Sequence, residues 1–505
     1  MTNKLRLLSG HYYLPSPIAA RFALHCYLDQ IIAATFRESY MNLYPTIKKP
    51  VFILLSILLL SNQPAGADNV LRHAADKTPP EQAIAQSFTL EQAIDYALAN
   101  NPDLQIAVER ISQAEAHLGI ALSAFYPQVS ARASYLHSNN PAQVFSMIVA
   151  QRDFDASSIQ NINTPGFRQD FRPEIVGRLS LFRGGQDYQN TKAAELGIDA
   201  AEFERSSVHN ALIEAVTSSY YAYLASLEAQ KVAQDSIYAI TSELNQTRLR
   251  YEAGTVLKSD VLSLEVKLAE AQNAEISAAN GIEISKTSIA NLLGLPNSQI
   301  FTIASSSLST KPELTAPLSE LIELAMTERP EVKAAAKQVE ISMRRLKVEQ
   351  GAYLPRADAF VSYGQNSQVP GFSGQKDNVT VGVAVELNLF SGFNTQQNIS
   401  AAQRKVAEVR ETERKTKLAI EQEVKIAFLN LEEALARLRV TEASVRAAEE
   451  ALRLVNEERR AGMATVTRYI ESEVAKNKAQ SNSIAARYDA LSAETALKKA
   501  IGGWK

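Results

Sequence analysis

Most of the chain spaces its apolar residues as a helix does, but after two prolines the period drops to two. In AYLPRADAFVSY, residues 352–363, Ala357, Ala359, Val361 and Tyr363 alternate with Arg356, Asp358, Phe360 and Ser362. AFYPQVSARASY, residues 124–135, makes the same switch at Pro127. Such alternation predicts a strand with two unlike faces. A second strand is predicted downstream of each. NVTVGVAVELNLF, residues 378–390, sets Val379, Val381, Val383, Val385, Leu387 and Leu389 against Thr380, Gly382, Ala384, Glu386 and Asn388. RPEIVGRLSLF, residues 172–182, sets Ile175, Leu179 and Leu181 against Glu174, Arg178 and Ser180. The stretches between strands, including NINTPGF and QVPGFSGQ, hold turn-forming residues.

The helical segments are long. Gly184 to Gly254 and Gly392 to Gly462 are both 70-residue intervals. At 1.5 Å per residue each could reach about 100 Å. In the second, Val424, Leu431, Leu438, Val445 and Leu452 stand seven apart. Ala427, Ala434, Thr441, Ala448 and Val455 form a parallel row of mostly small residues, which suits side-by-side helix packing.

The chain is written twice. LEQAIDYALANNPDLQIA from Leu90 resembles LSELIELAMTERPEVKAA from Leu318, an offset of 318 − 90 = 228. Pro102, Pro127 and Tyr135 map to Pro330, Pro355 and Tyr363 at that offset. Further on, LSLFRGG and LNLFSGF align at 390 − 182 = 208, as do Gly254 with Gly462 and Gly294 with Gly502. The first half is therefore 20 residues longer, and the excess lies between Pro127 and Phe182. The expected organisation is a leader over 1–67 and an N-terminal linker over 68–88. A first repeat over 89–301 has its hairpin near 128–182. A linker over 302–317 precedes a second repeat over 318–505, with its hairpin near 356–390.

Lys48 and Lys49 precede the apolar run VFILLSILLL and then SNQPAGA, which ends in small residues. That is the layout of a secretory signal peptide with cleavage after Ala67. The other reading, a membrane anchor, is disfavoured because about ten apolar residues are too few to cross a bilayer. Residues before Met41 are unusual for such a peptide, so Met41 is the expected start. The lone cysteine, Cys26, would then be absent, and no disulfide or cysteine metal site is available.

Composition excludes more than it assigns. The 505 residues carry a formal net charge of −3, without the basic excess of nucleic-acid binders. His73, His117, His137 and His209 are scattered without metal-ligand spacing. The H-E-x-x-H, G-x-S-x-G and phosphate-loop signatures are missing. No enzyme activity, cofactor or metal is expected, and most carboxylates read as a solvated helix face.

Four strands of about ten residues have the length and two-faced pattern of membrane-barrel strands. An open four-stranded sheet cannot sit in lipid, because its edge amides lack partners. The chain must therefore oligomerise: two copies would give eight strands and three would give twelve. A soluble coiled-coil protein with two surface hairpins would explain the helices but not the strand faces. A periplasm-spanning tether without transport is the rival from another class, although a tether needs no polar lumen.

The duplicated layout resembles the outer-membrane efflux channels of the TolC family over nearly all of residues 88–505. The resemblance is carried by NNPDL and ERPEV, by Pro127 and Pro355, and by LFRGG and LFSGF. RYEAGTVLKSDVL and ERRAGMATVTRYIESE complete it. It implies a mainly α protein with a membrane β-barrel: a homotrimer with a twelve-stranded barrel in the Gram-negative outer membrane, above a long helical tunnel in the periplasm. An equatorial layer would be built by residues 302–317 and the chain ends. Pro127 and Pro355 would be helix-to-strand junctions. A periplasmic adaptor and an inner-membrane transporter would be partners, and outer-membrane lipid would surround the strands. The turns at Gly254 and Gly462 would close the pore. There the sequence departs from the family, which often places aspartates after the second glycine: Arg468 and Glu471 stand at those positions, and Asp260 follows Gly254. A cation preference is therefore not implied. Asp260 could equally cap a helix, and Arg468 with Glu471 could be a local i,i+3 pair.

Overall fold

A computed structural model of the chain describes residues 86–296, 301–304, 312–314 and 316–504. The leader, Met41 and the expected cleavage after Ala67 lie outside the described residues.

In chain order the elements are β1 (Gln86–Phe88), α1 (Leu90–Asn100), α2 (Pro102–Leu122), β2 (Gln128–Ser138), α3 (Pro141–Ala150), α4 (Ala156–Gln160) and β3 (Arg168–Arg183). Helices α5 (Gln186–Glu252) and α6 (Lys258–Leu293) complete the first repeat, and β4 (Phe301–Ile303) follows. The second repeat holds α7 (Leu318–Glu328), α8 (Pro330–Gly351), β5 (Arg356–Gln365), β6 (Asp377–Glu386), α9 (Asn394–Arg460) and α10 (Val466–Ala500). Helices α5 and α9 are both 67 residues long, or about 100 Å.

The hairpins join into one antiparallel sheet in the order β2-β3-β5-β6. Register decides the faces, because directly paired residues lie on the same side. Ala131, Ile175, Tyr363 and Val379 form one row across all four strands, and Val129, Gly177, Val361 and Val381 form the next. On the opposite face run Ser130, Val176, Ser362 and Thr380, then Arg132, Glu174, Gly364 and Asn378. The sheet thus has an apolar face and a mixed-charge polar face, where Glu174 pairs with Arg172 at 3.1 Å.

Two details differ from the sequence expectation. Strand β6 stops at Glu386 instead of running to Phe390, because its partner β5 begins at Arg356 and offers no ladder beyond the Arg356–Glu386 pair. A bulge in β3 between Ser180 and Phe182 puts Phe182, not Leu181, opposite Ala357 in the apolar row.

The helices repeat the order of the strands. Next to the sheet the neighbours run α2, α5, α8, α9, and further away α6, α5, α10, α9. Each strand continues a helix, so one lateral order serves both layers. At the junction, Gly184 has φ 60°, and a Cβ there would collide with the Gly351 carbonyl oxygen, so only glycine fits. The heptad of α9 is its packed stripe: Val424, Leu431 and Leu452 are buried, and Leu438 and Val445 half-buried.

The cores lie where the short helices meet the long pairs, and they repeat. Ala97, Leu104, Val216 and Ile289 are buried in the first; Ala325, Val332, Val424 and Leu497 hold the equivalent places in the second. One polar tie is also duplicated. Asn101 Nδ2 donates to the Leu292 carbonyl at 2.8 Å, and Arg329 Nη1 donates to the Ala500 carbonyl at 3.2 Å. Each precedes the helix-starting proline of α2 or α8 and satisfies the carbonyl end of the returning helix. Beside the first core, β1 and β4 pair in parallel, so the N-terminal and inter-repeat linkers meet in one small sheet.

Arg329 is buried and also bonds Glu331 at 2.8 Å and Glu423 at 3.0 Å. Removing it takes the guanidinium from both carboxylates, leaving Ser207 on Glu331 and Lys499 on Glu423, and strips the Ala500 carbonyl of its donor. Arg329→Ala is expected to cost about 2–3 kcal/mol, read as a lowered midpoint of thermal unfolding in detergent. Arg487→Ala, which breaks a half-exposed pair with Glu228, is expected to cost under about 1 kcal/mol.

Candidate functional site

The ends of the long helices farthest from the sheet carry the candidate gate. Both turns have the same backbone. Gly254 and Gly462 have φ 75° and 76°, the left-handed conformation glycine adopts without strain. Thr255 N donates to Arg250 O at 2.9 Å and Gly254 N to Tyr251 O at 2.9 Å. In the second turn Met463 N donates to Glu458 O at 2.8 Å and Gly462 N to Arg459 O at 3.0 Å. Each is a Schellman closure that satisfies the last helix carbonyls.

The returning helices are capped by complementary halves of one device. Asp260 accepts the Leu257 backbone N–H at 3.3 Å, reaching back from the first turn of α6. Thr465 accepts the Arg468 backbone N–H at 3.2 Å at the start of α10. A capping box would use both bonds at one helix end; here each turn has one. Asp260 is therefore a cap as well as a candidate pore residue.

The three sequence candidates are not brought together within one chain. Arg468 reaches back across its turn to Glu458 at 3.5 Å, and not to Glu471, the local partner that was the alternative to a pore role. Glu471 is exposed one turn further along α10. Gly254 and Gly462 each sit in a solvent-exposed turn, with open space where a side chain would project. Pro127 lies between a 3-10 turn (Ser123–Phe125) and β2, and Pro355 lies between α8 and β5.

Behind the tip is a cluster that the sequence reading missed. Glu243 of α5 forms an ion pair with Arg459 of α9, and both side chains are buried. Thr247 Oγ1 donates to the same carboxylate at 2.8 Å. The Arg459 guanidinium lies 5.1 Å from the centre of the Tyr469 ring, and its Nη1 has no hydrogen-bond partner. Burial, with the charges of Glu473 and Glu243, pushes Tyr469 up to about 12, so it is a neutral phenol at physiological pH. The available signal was weak. Arg459 and Arg460 read as solvated basic residues of a helix end, which is their usual role.

Among the described residues no group of three or more His, Cys, Asp or Glu is placed to hold a metal ion, and no helix is long and apolar enough to cross a membrane.

A family profile described as "Outer membrane efflux protein" matches residues 93–295 and again 321–503. The second match starts 228 residues after the first and ends 208 after it, which reproduces both repeat offsets. The chain belongs to the outer membrane efflux protein family. Its site is the outer membrane of Gram-negative bacteria, and the family is one of export channels. Similar proteins include the outer membrane efflux protein BepC of Brucella suis, 23% identical over 83% of this chain and 86% of that protein. The pyoverdine export outer membrane protein OpmQ of Pseudomonas putida is 24% identical over 84% of this chain and 88% of its own. Among solved structures, the CmeC outer membrane channel of Campylobacter jejuni superposes with a TM-score of 0.70 over 82% of this chain and 85% of that one, at 17% identity.

The Glu243–Arg459 pair holds α5 to α9 behind the tip of this family member. Glu243→Ala would strand a buried guanidinium, at about 3 kcal/mol. Faster amide hydrogen exchange is expected around residues 455–470. The double change Glu243→Leu with Arg459→Met removes both charges and is expected to restore most of the protection. Equal exchange in all three proteins would show that the pair does not order the tip.

Proposed function

We propose that three copies of the chain close a twelve-stranded barrel and form a passive export duct from the periplasm to the exterior. The observation that carries this reading is the sheet itself. It is apolar on one face and polar on the other, and both of its edge strands, β2 and β6, are unpaired on their outer sides. Lipid satisfies no backbone amide, so each edge needs a strand, and a neighbouring copy offers the complementary edge. The helix layer ends on the same side as each strand edge, with α2 beside β2 and α9 beside β6, so one rotation closes both layers.

In this assembly the valines of β6 face lipid and the Arg132, Glu174 and Thr380 rows face the lumen. The turns at Gly254 and Gly462 meet the periplasmic adaptor, and an inner-membrane transporter supplies the energy. The chain itself carries out no catalysis. Opening moves the α9–α10 pair away from α5 at the tip and parts the Glu243–Arg459 contact. Arg468, exposed just beyond the second turn, places a positive group at the mouth in each copy.

Native mass measurement of the detergent-extracted protein is expected to give three chains, and planar-bilayer recording is expected to give discrete conductance steps. A stable monomer would remove the barrel reading; a trimer that never conducts would favour the tether. Arg468→Asp is expected to raise the cation-to-anion permeability ratio several-fold. An unchanged ratio would place Arg468 away from the ion path.

A further inference from the structure

The 20 residues by which the first repeat exceeds the second contain an element that the turn-like sequence did not announce. Asn140 caps α3 by accepting from Ala142 N at 3.1 Å and Gln143 N at 3.3 Å, with Pro141 in the first turn. The helix does not project away from the sheet. Its Gln143, Ser146 and Met147 overhang a cleft of about 920 Å³ whose floor is the polar face, including Glu174, Ser362 and Thr380. Val144 and Met147 are buried beneath it.

A latch holds the helix there. The buried Gln151 donates from Nε2 to Gln169 O at 2.8 Å and to Asp170 Oδ1 at 2.9 Å. Asp153 accepts from Arg168 at 2.7 Å on β3 and from Lys376 at 3.2 Å in the β5–β6 loop, so both hairpins grip the insert. Burial alone would raise the Asp153 carboxyl; Lys376 and Arg168 outweigh it and hold it below the ordinary value, so the latch is charged at neutral pH. The other side of α3 is apolar and open: Phe145 and Val149 are exposed, with Phe154 against Phe145 at 5.8 Å between ring centres.

We propose that α3 is an inward-folded lid that sets the width of the exit, the three copies meeting through Phe145 and Val149 across the barrel mouth. The proposal rests on the trimeric barrel above. Twelve strands about 4.8 Å apart and tilted by about 40° enclose a radius of about 12 Å. A helix with its side chains is about 10 Å thick. Three such helices on the inner wall leave an opening of only a few ångströms, rimmed by apolar side chains that resist wetting. The occupant of the exposed face of α3 is therefore the α3 of the neighbouring copies. The second repeat has no lid because its 366–376 linker is too short to hold one.

The test reads access to the lumen from outside, which is independent of the periplasmic gate. Thr380→Cys in a Cys26→Ser chain places a thiol in the cleft. Intact cells are treated with N-ethylmaleimide or with a bulky polyethylene-glycol maleimide. The comparison chain has residues 139–167 replaced by its own 366–376 linker. The bulky reagent is expected to label the lidded chain about tenfold more slowly than the lidless one, while the small reagent labels both alike. Asp153→Ala, which keeps the helix and loosens the latch, is expected to fall between them. Equal bulky labelling of lidded and lidless trimers would overturn the lid. Native masses of single chains for the parent protein would instead overturn the barrel on which it rests.

Discussion

Backbone amides in hydrocarbon have no water to turn to, and the architecture follows from that constraint. A chain that contributes only β2, β3, β5 and β6 leaves two ladders unfinished. In the proposed assembly neighbouring copies finish them, so the element that enters the membrane also dictates assembly. The helices then inherit the geometry of the sheet. Because β2 follows α2, β3 leads into α5, β5 follows α8 and β6 leads into α9, a lateral order fixed by strand pairing is imposed on rods about 100 Å long. The heptad stripe of α9 keeps that order by van der Waals packing, far from any strand.

The two repeats share one layout, but they differ in the chemistry of equivalent bonds. Asn101 and Arg329 both tie a helix carbonyl end, yet one does it as a neutral amide and the other as a cation with two carboxylate partners. Asp260 and Thr465 each supply a different half of a capping box. Backbone geometry at these points is the same in both repeats, whereas charge is not. At the helix tie the bond is kept and the donor differs; at the cap the bond itself differs.

That division explains what could be read from the sequence. The strands were legible because Pro127 and Pro355 end the helical period and a two-residue alternation begins at once. The α9 seam was legible because ten residues keep strict heptad spacing. Strand β6 was extended too far because alternation continues through Leu387 and Leu389, while pairing depends on where β5 begins. Helix α3 was missed because ten residues between loops give little periodicity, although Asn140–Pro141 was a usable start signal. Of the candidate gate, both turns were visible through their glycines. The Glu243–Arg459 pair was not: its partners are 216 residues apart and look like ordinary helix-surface charges until the repeats are packed together.

The contacts that join the repeats mix apolar and polar groups, whereas those that join a helix to its own return are mainly apolar near the tip. Within the α5–α6 pair, Leu244 packs with Val261 and Leu264; between α9 and α10, Leu452 and Val455 meet Tyr469. Between α5 and α10, polar pairs recur along the seam, Glu228 with Tyr488 at 2.7 Å and Ser236 with Asn477 at 2.8 Å, and apolar contacts lie among them: Tyr221 faces Tyr488 with ring centres 6.4 Å apart, and Val466 shares a buried cluster with Ile240 and Leu244. Parting an apolar seam exposes area that water cannot compensate, whereas a parted polar pair regains hydration on both sides. Glu243 and Arg459 differ from those pairs in carrying two buried charges, so their separation must bring in water. Near the tip the line between repeats is therefore held both by a buried apolar cluster and by a buried ion pair, and parting it must expose the one and hydrate the other.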